Sequence, residues 1–415
     1  MTVRVRFAPA PTGDLHEGGA LVAVANHLLR RREGGVLILR IDDTDAERLD
    51  PAAETRIAAD LAWLGIIPDE GPDAGPYAPY RQSERADRHR AAAERLVAAG
   101  AAERGPDGAV FLAAPTADVV VPDLSRGPIR IPADELGPTV LVRADGRPTY
   151  HLATAVDDHE LGITHVLRGE DHLVNSARQL ALCAALGVAP PAFAHLPIVV
   201  GAAGGRLSSR SGALGIGRLR DAGHLPEAVA DWLARSACPP LTALPASELD
   251  ALAAAFDPTR LGHGTTHLDP VLLAALGRDH LARLEPAERA RRIAAWMGEE
   301  ADATAIAALA PGLTDAATLA EAEAAVRGVL DAQPLATAGE ADRAAAAALI
   351  AALPAAPDPL DATAAEGLIA ALGCGKRPLR RVLTATDSGI PLPFVLAALP
   401  RATALARARA VLDQP

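Results

Sequence analysis

Residues 3–41, VRVRFAPAPTGDLHEGGALVAVANHLLRRREGGVLILRI, are the part of the sequence from which the fold class is predicted. Residues 3–8 form a β-branched run that ends in a turn rich in proline and glycine, and residues 18–33 predict a helix. Two glycines, residues 34–35, end that helix, and residues 36–41 predict a second buried strand. A strand, a helix and a strand in this order predict a Rossmann-like α/β fold with a doubly wound parallel sheet.

The alternation of strands and helices continues along the first half of the chain. Asp50 is the predicted N-cap of the next helix, with Pro51 at its first helical position. Residues 83–99 predict another helix, and residues 163–169 and 196–200 predict further strands. We therefore expect the parallel sheet to extend to about residue 224.

The pattern of predicted strands and helices divides the chain into four parts. In the second part, many prolines and glycines interrupt the alternation of strands with helices. After residue 226 the sequence shows no strand pattern. We expect a catalytic Rossmann-like domain, a small α+β insertion, and two all-α regions. Their predicted ranges are 1–100 with 146–224 for the catalytic domain, 101–145 for the insertion, and 225–330 and 331–415 for the helical regions.

Composition excludes several classes of protein. The chain has 415 residues, a formal net charge of −12 and 3% aromatic residues. This charge disfavours a general cationic surface for nucleic acid but allows a local basic strip. The chain has no run of about 18 consecutive apolar residues, which predicts no membrane span. The N-terminal ten residues lack the pattern of a signal peptide, so we expect a cytoplasmic protein.

The three cysteines are far apart in the sequence. Cys183, Cys238 and Cys374 are odd in number and form no CxxC pair. They therefore exclude a disulfide scaffold and give no cysteine pair for zinc. We expect no protein-bound metal, no DNA partner and a monomer.

Two stretches near the N-terminus carry polar groups at the ends of predicted strands. In residues 6–19 a turn leads into a helix that opens with His16 and two glycines, a pattern that suits a phosphate at a helix N-terminus. An ordinary turn with a surface histidine is the alternative. Residues 40–45 place three carboxylates where a strand ends, and these groups suit an ammonium group or a metal. A solvated acidic loop is the alternative there.

Two further stretches are informative later in the chain. Arg168 follows a predicted strand, where its guanidinium suits a substrate carboxylate. An ion pair with Asp157 or Asp158 is the structural alternative. Residues 204–212, GGRLSSRSG, form a basic loop with hydroxyl groups that suits phosphate, although the signal is weak alone.

Together these stretches resemble the glutamyl-tRNA synthetases, class I aminoacyl-tRNA synthetases with an early HIGH-type motif and a late KMSKS-type loop. The resemblance is dense from residue 3 to about residue 232. It includes RIDDTDAERLDPAAETRIAADLAWLG, GPYAPYRQSER, RPTYHLATAVDDHELGITHVLRGEDHLVNSARQ and FAHLPIVVG. It returns near residues 375–385, which are similar to part of the family's anticodon-binding region.

The resemblance implies ATP-dependent formation of glutamyl-adenylate, helped by Mg²⁺, and transfer of the acyl group to the 3′ end of tRNA. It implies roles for positions that match the family's motifs. The implied catalytic positions are His16, Gly18, Gly19, Arg206, Ser209 and Arg210. For the amino acid, Arg6 matches the arginine that meets the side-chain carboxylate of glutamate, Arg168 matches a second substrate-facing arginine, and Asp42 matches the residue that holds the α-amino group. The other positions implied for the amino acid are Ala8, Ala10, Tyr150, Thr154 and His172. Those implied for ATP are His16, Gly19, Asp171, Leu196, Ile198 and Arg206, and Lys376, Arg377, Arg380 and Arg381 are the candidates for tRNA.

The chain departs from the family pattern at several positions. Ala10 stands where relatives usually have serine, Asp42 where most have glutamate, and Glu17 where they have an apolar residue. Near a phosphate, the Glu17 carboxylate would be repelled; facing solvent, it would complement the helix dipole. The KLSKR segment of the family is RLSSR here, so Ser209 replaces a lysine that meets the triphosphate. Residues 105–117 replace a longer stretch of the acceptor-binding insertion, and the zinc site of some bacterial members is absent.

Three functional hypotheses follow from these observations. The first is a glutamate–tRNA ligase, or a close paralogue acting as one on fewer tRNAs. The second is an adenylate-forming paralogue with another amino acid or a non-tRNA acceptor, which Ala10, Asp42 and the trimmed insertion favour. The third is a tRNA-binding or regulatory protein that has lost catalysis through Ser209 and Glu17. The retained His16 motif and substrate-facing arginines disfavour this third hypothesis.

Overall fold

The computed structural model describes residues 2–200 and 215–414, and the chain divides into two compact units. The first comprises Met1–Arg220 and Pro226–Pro270, and the second comprises Asp221–Leu225 and Val271–Pro415. The predicted division into four domains stays a prediction. No helix in the described ranges is long and apolar enough to cross a membrane.

The first unit alternates strands with helices. In chain order its elements are β1 (Arg4–Phe7), α1 (Glu17–Glu33), β2 (Val36–Leu39), α2 (Ala53–Trp63), α3 (Ala86–Ala98), β3 (Ala102–Arg104), β4 (Val110–Leu112), β5 (Val119–Asp123), β6 (Gly127–Ile131), α4 (Ala133–Leu136), β7 (Thr139–Val142), α5 (Tyr150–Glu160), β8 (His165–Gly169), α6 (Leu173–Leu186), β9 (Ala192–Leu196), β10 (Ile198–Val200), α7 (Ile216–Asp221), α8 (Pro226–Ala237), α9 (Leu249–Ala255) and β11 (Thr265–His267).

Parallel strand pairs joined by helices confirm the predicted α/β class. β1 pairs with β2 in parallel across α1, and β8 pairs with β9 in parallel across α6. The amide of Thr164, just before β8, donates to the carbonyl of Arg4 in β1 at 2.9 Å. These pairs bring the carboxyl ends of β1, β2 and β8 to one edge, where open α/β sheets bind ligands.

Residues 102–142 contribute to two sheets. β3, β4 and β7 form a small antiparallel sheet, whereas β5 and β6 lie at the edge of a sheet with the order β6-β5-β9-β8. β5 reaches β9 through one parallel pairing, between Asp123 and Phe193. Asp123 is thereby placed beside the strand that follows α6.

Helix α1 is held by an apolar face and by both of its ends. Leu21, Val24 and Leu28 are almost completely buried, and each such side chain stabilises the fold by about 2 kcal/mol. At the start, His16 Nδ1 accepts a hydrogen bond from the amide of Gly19 at 3.2 Å. Gly34 ends the helix in the left-handed region with φ 59°, which glycine adopts without a steric cost.

The start of α2 differs from the prediction. The helix begins at Ala53 rather than at Pro51, because Asp50 closes a separate turn. Its Oδ1 accepts from the amide of Ala52 at 3.0 Å, and its carbonyl accepts from the amide of Ala53 at 2.9 Å. The turn is tied to the loop after β1, since the Asp50 amide donates to the carbonyl of Pro11.

From Pro270 to residue 414 the described elements are helices with short connecting turns, as the sequence predicted. They are α10 (Pro270–Arg283), α11 (Pro286–Met297), α12 (Ala303–Leu309), α13 (Leu319–Leu330), α14 (Glu340–Ala352), α15 (Ala362–Ala371), α16 (Lys376–Thr384), α17 (Leu392–Ala398) and α18 (Arg401–Leu412). One prediction for the region after residue 226 was wrong. The short strand β11 pairs with β10, and its three residues are too few to show an alternating pattern.

Candidate active site

The loop after β1 lies against the segment that follows β2. The amide of Asp42 donates to the carbonyl of Pro9 at 3.0 Å, which fixes the two chain segments side by side. Ala8 is half-buried in this loop and Ala10 is exposed. Both alanines therefore lie near the carboxyl ends of β1 and β2, where the sequence placed a ligand site.

The start of α1 forms a narrow turn around the His16 ring. Because Nδ1 accepts from Gly19, the proton of the neutral ring lies on Nε2. A Cβ atom at Gly18 would lie 3.3 Å from His16 Nδ1 and 3.9 Å from the Cβ of Val199 in β10. The absence of a side chain at Gly18 thus keeps the His16 ring and β10 close to the helix N-terminus, a site suited to phosphate.

A buried network of opposite charges lies beneath this loop. Arg6 in β1 donates through Nε to Asp158 in α5 at 3.3 Å. Arg40 donates through Nη1 to the same carboxylate at 2.5 Å and through Nε to Asp42 at 2.7 Å. The guanidinium of Arg40 is completely buried. Asp42 is therefore a buried, paired carboxylate and not part of a solvated loop.

The pKa values within this network shift in opposite directions. Burial raises the pKa of the Asp42 carboxyl, and the Arg40 guanidinium only partly offsets that effect. Burial also opposes ionisation of Asp158, but the nearby Arg6 and Arg40 lower its pKa. Asp158 is therefore the anionic centre that holds the two arginines.

Arg168, at the end of β8, has only neutral partners among the described residues. Its Nη2 donates to Ser176 Oγ at 2.6 Å and to Gln179 Oε1 at 2.7 Å, and its Nη1 donates to Tyr150 Oη at 3.3 Å. The residue is 5% exposed, and burial lowers the pKa of its guanidinium. The expected alternative, an ion pair of Arg168 with Asp157 or Asp158, does not form. Asp157 instead accepts from Arg85 and His89.

Other predicted amino-acid contacts lie around Arg168. Tyr150 Oη lies 3.2 Å from Nδ1 of His172, and the two rings lie 5.9 Å apart. Thr154 lies one turn along α5 from Tyr150; its buried Oγ1 has no hydrogen-bond partner in the described structure. The structure thus brings Tyr150, His172 and Arg168 into one cluster.

The positions predicted for ATP lie in the segments that follow β8 and that join β9 to β10. Asp171 follows β8, Leu196 ends β9, and Ile198 begins β10. The amide of Ile198 donates to the carbonyl of Gly264 at 2.8 Å.

The KMSKS-type positions Arg206, Ser209 and Arg210 lie outside the described residues. The next described residue, Gly215, forms a β-bridge with His16. Glu17, the first residue of α1, is buried with 3% exposure, which excludes the solvent-facing alternative for its side chain.

The four basic candidates for tRNA lie on α16 and differ in their partners. Arg377 forms two 2.9 Å hydrogen bonds to Asp387, whereas Arg380 donates to the carbonyl of Ile390 at 2.7 Å. Arg381 donates to Asp342 at 3.2 Å, and Lys376 is exposed. Three of the four cations thus have partners within the second unit.

Sequence reasoning missed several polar side chains that hold the predicted ones. Arg40 belongs to the acidic stretch of residues 40–45, but its position after a buried strand was the only sign of a role. Ser176, Gln179 and His195 lie in segments that resemble the family but had no predicted role, and Asp123 had no signal in the sequence. These residues meet only through the pairing of β5, β8 and β9 with α6 between them.

Comparisons with known proteins agree with this geometry. Residues 2–107 and 109–266 match the family described as tRNA synthetases class I (E and Q), catalytic domain. A glutamate–tRNA ligase 1 of Acidiphilium cryptum is 39% identical over an aligned length of 383, and the match covers 80% of this chain and 80% of that protein. A glutamate–tRNA ligase 1 of Rubrobacter xylanophilus is 43% identical over 297 residues, which cover 70% of this chain and 67% of that protein.

Two solved structures are similar over the whole length of both chains. One is a glutamate tRNA ligase from Elizabethkingia meningosepticum in complex with its amino acid, with 26% identity and a TM-score of 0.82. The other is a glutamate-tRNA synthetase from Elizabethkingia anophelis, with 25% identity and a TM-score of 0.83.

Proposed function

Because this chain belongs to the glutamyl-tRNA synthetase family of class I aminoacyl-tRNA synthetases, we propose that it activates glutamate with ATP and transfers it to tRNA. An α-carboxylate oxygen of glutamate attacks the α-phosphorus of ATP, and pyrophosphate leaves. The product is a mixed anhydride, glutamyl-adenylate. A hydroxyl of the 3′-terminal ribose of tRNA then attacks the acyl carbon, and AMP leaves.

The observation that supports this function most strongly is the buried guanidinium of Arg168. No carboxylate of the described chain pairs with it, and its Nε has no partner. A buried cation with neutral partners only is costly, and an anionic ligand offsets that cost. The side-chain carboxylate of glutamate supplies such an anion, whereas the amide of glutamine does not.

Arg6 and Asp42 complete the proposed amino-acid site. Arg6 uses Nε to bind Asp158, and its Nη atoms make no hydrogen bond to a described residue, so they remain available to the substrate carboxylate. Asp42 provides a carboxylate for the α-amino group. Its bond to Arg40 orients that carboxylate, with 2.7 Å from Nε to Oδ1. Ala8, Ala10, Tyr150, Thr154 and His172 are proposed to line the same site.

The nucleotide is proposed to lie over the N-terminus of α1. His16 would donate through Nε2 to a phosphoryl oxygen, and Gly18 and Gly19 would let the phosphates approach the backbone. Asp171, Leu196 and Ile198 would surround the adenine and ribose. Arg206, Ser209 and Arg210 would face the triphosphate. Catalysis would then consist mainly of positioning and charge stabilisation.

Mg²⁺ is proposed to accompany ATP rather than to occupy a protein site. The described residues contain no group of three His, Cys, Asp or Glu side chains that could hold a metal ion. Mg²⁺ keeps several waters and commonly binds through nucleotide phosphates, so no ligand set on the protein is needed. We further propose a cytoplasmic monomer whose partner is tRNA and not DNA.

The decisive experiment is ATP–pyrophosphate exchange with a panel of amino acids, with and without total tRNA. We expect exchange with glutamate and none with glutamine. Arg168→Gln should reduce exchange at least a hundredfold, because it removes the cation that pairs with the substrate. Arg178→Gln on α6 is the matched control, since that arginine donates to the carbonyl of Leu136.

The other outcomes separate the remaining hypotheses. Exchange with a different amino acid would indicate an adenylate-forming enzyme with altered specificity. If no amino acid supports exchange in the presence of tRNA, the result would indicate a binding protein without catalysis. In that case Ser209→Lys tests whether the missing charge is the cause, and restored exchange would indicate a weakened synthetase.

A further inference from the structure

Behind Arg168, three buried side chains form a continuous hydrogen-bonded chain. Ser176 Oγ lies 2.6 Å from Arg168 Nη2 and 2.8 Å from Nε2 of His195. The Nδ1 atom of the same ring lies 2.7 Å from Asp123 Oδ2. The side chains of His195 and Asp123 have no exposed surface. The chain thus runs from the predicted substrate arginine into the interior of the first unit.

The donor and acceptor groups of these side chains indicate the direction of the hydrogen bonds between them. Arg168 only donates, so Ser176 Oγ accepts its Nη2 hydrogen. Asp123 as a carboxylate only accepts, so the proton of His195 lies on Nδ1 and Nε2 is an acceptor. The hydroxyl hydrogen of Ser176 has two acceptors in reach, Nε2 of His195 at 2.8 Å and the carbonyl of His172 at 3.2 Å. The shorter contact is the one to His195, and only that bond gives Nε2 a donor.

The charge states of the two end groups agree with this direction. Burial lowers the pKa of His195, which keeps the ring neutral at pH 7. Burial opposes ionisation of Asp123, but hydrogen bonds from His195 and from the amides of Ser125 and Arg126 lower the pKa of its carboxyl. A neutral imidazole between a carboxylate and a hydroxyl has a single favoured tautomer.

Asp123, at the buried end of this series of hydrogen bonds, is held by several backbone amides. Asp123 accepts from the amides of Ser125 and Arg126 through Oδ1, each at 2.9 Å, and from the amide of His195 through Oδ2 at 3.0 Å. The Phe193 ring stacks on the His195 ring, with 6.3 Å between the ring centroids. The guanidinium of Arg168 lies over the Phe193 ring, with Cζ 5.4 Å from the ring centroid. The orientation of the guanidinium is therefore fixed from two sides.

We propose that Ser176, His195 and Asp123 are positioning residues that hold the Arg168 guanidinium in the orientation that binds the side-chain carboxylate of the amino acid. The proposal rests on the proposed function, which gives Arg168 its ligand. Ser176 and Gln179 take up both hydrogens of Nη2. One hydrogen of Nη1 bonds to Tyr150 Oη, so the second hydrogen of Nη1 and the N–H of Nε are left for the substrate.

The test compares KM values in the exchange reaction. Ser176→Ala removes the acceptor of Nη2, and we expect the KM for glutamate to rise about tenfold, as for loss of one hydrogen bond to a charged group. The KM for ATP should change less than twofold. Ser176→Thr restores the hydroxyl and should recover most of the affinity for glutamate. Cys183→Ala, a buried position on the same helix, is the control.

His195→Asn provides a second, independent variant. Its amide retains a donor near Asp123 but has no acceptor at the position of Nε2, so we expect an effect like that of Ser176→Ala. Equal increases in the KM values for glutamate and ATP in both variants would overturn the positioning role. An unchanged KM for glutamate would overturn it as well.

A structural readout separates failure of this proposal from failure of the proposed function. Crystal structures of wild type and Ser176→Ala should show the Arg168 guanidinium displaced relative to the ring of Phe193. If wild type activates no glutamate but the guanidinium moves, the proposed function fails and the positioning role stands. If the guanidinium keeps its orientation, the positioning role fails, whatever the activity.

Discussion

Arg40 and Asp158, 118 residues apart in sequence, are joined by a 2.5 Å contact between Nη1 and Oδ1 beneath the loop that follows β1. Both residues are buried, and Asp158 also accepts from Arg6 at 3.3 Å. One carboxylate therefore compensates two buried guanidinium groups. Removing its charge leaves both arginines without that compensation, which is the costly way to break a buried ion pair.

Asp158→Asn should accordingly lower the free energy of unfolding by about 3–5 kcal/mol. Urea unfolding followed by circular dichroism measures this change. Asp87→Asn is the matched control, because the Asp87 side chain is 96% exposed and pairs with Arg90 at the surface. We expect that control to change the stability by less than about 0.5 kcal/mol. Equal effects of the two substitutions would contradict the central role of Asp158.

The contrast between β1–α1–β2 and this ion-pair network shows what sequence can predict. The strand, the turn and the helix of residues 3–41 are local, so periodicity and the two glycines were enough to predict them. The carboxylate that Arg40 shares with Arg6 is not local, since Asp158 is on α5, after the small antiparallel sheet. The same holds for Ser176, His195 and Asp123, which meet only once β5 and β9 are paired. Sequence alone predicted Arg6 and Arg168 as candidates for the site but not the groups that hydrogen-bond to them.

The predicted N-cap of α2 was wrong for a different reason. Asp50 and Pro51 have the residue types of a helix start, but the Asp50 amide also bonds to the carbonyl of Pro11. That tertiary contact holds Asp50 in a turn, so the helix starts at Ala53. The residue types at a helix start predict its position only weakly where a contact with a distant segment also holds those residues.

Acid should destabilise the protein through His27 in α1. The ring is buried, neither of its nitrogens has a partner in the described structure, and burial lowers its pKa to about 4. The unfolded chain then binds more protons than the folded chain between about pH 6.5 and pH 4, so stability falls as pH falls through that window. From pH 6.5 to pH 5 the loss from His27 is about 2 kcal/mol.

His27→Leu should remove this part of the pH dependence. Urea unfolding at pH 5, 6, 7 and 8 should give a shallower acid slope for the variant than for wild type. The acid slope that remains in the variant includes a contribution from His151, because burial lowers the pKa of that ring to about 4 as well. Parallel pH profiles for the two proteins would show that His27 is not the group responsible.

A side chain at Gly18 should shift the His16 ring slightly. A Cβ atom would lie 3.3 Å from His16 Nδ1, a tight contact that moves the ring by a few tenths of an ångström. Gly18→Ala should therefore displace the imidazole and reduce ATP–pyrophosphate exchange on the order of ten- to hundredfold. The melting temperature should change little, because alanine favours a helix over glycine.

Gly328→Ala is the control for this substitution. Gly328 lies on α13, and a Cβ atom there meets no atom within 4 Å. We expect unchanged exchange and a stability gain of up to about 1 kcal/mol. Full activity of Gly18→Ala would show that the His16 ring does not need its present position.

The basic residues on α16 should differ in what they contribute to tRNA binding. Arg380 binds the carbonyl of Ile390 and Arg381 binds Asp342, so we expect their substitution to affect mainly the stability of the second unit. Lys376 is exposed, and the Arg377 side chain is 72% exposed beside Asp387. We therefore expect these two cations, rather than Arg380 and Arg381, to meet tRNA phosphates.

Replacing Lys376 and Arg377 together by alanine should weaken tRNA binding and reduce its salt dependence. Each phosphate contact contributes about 0.9 to the slope of log affinity against log salt, so the slope should fall by about 2. Binding titrations at several salt concentrations measure it. Arg291→Ala is the control, since Arg291 is also exposed and also forms two hydrogen bonds to one carboxylate, Glu288. A slope that stays the same in the double variant would show that α16 does not contact tRNA phosphates and that its charges serve only the fold of the second unit.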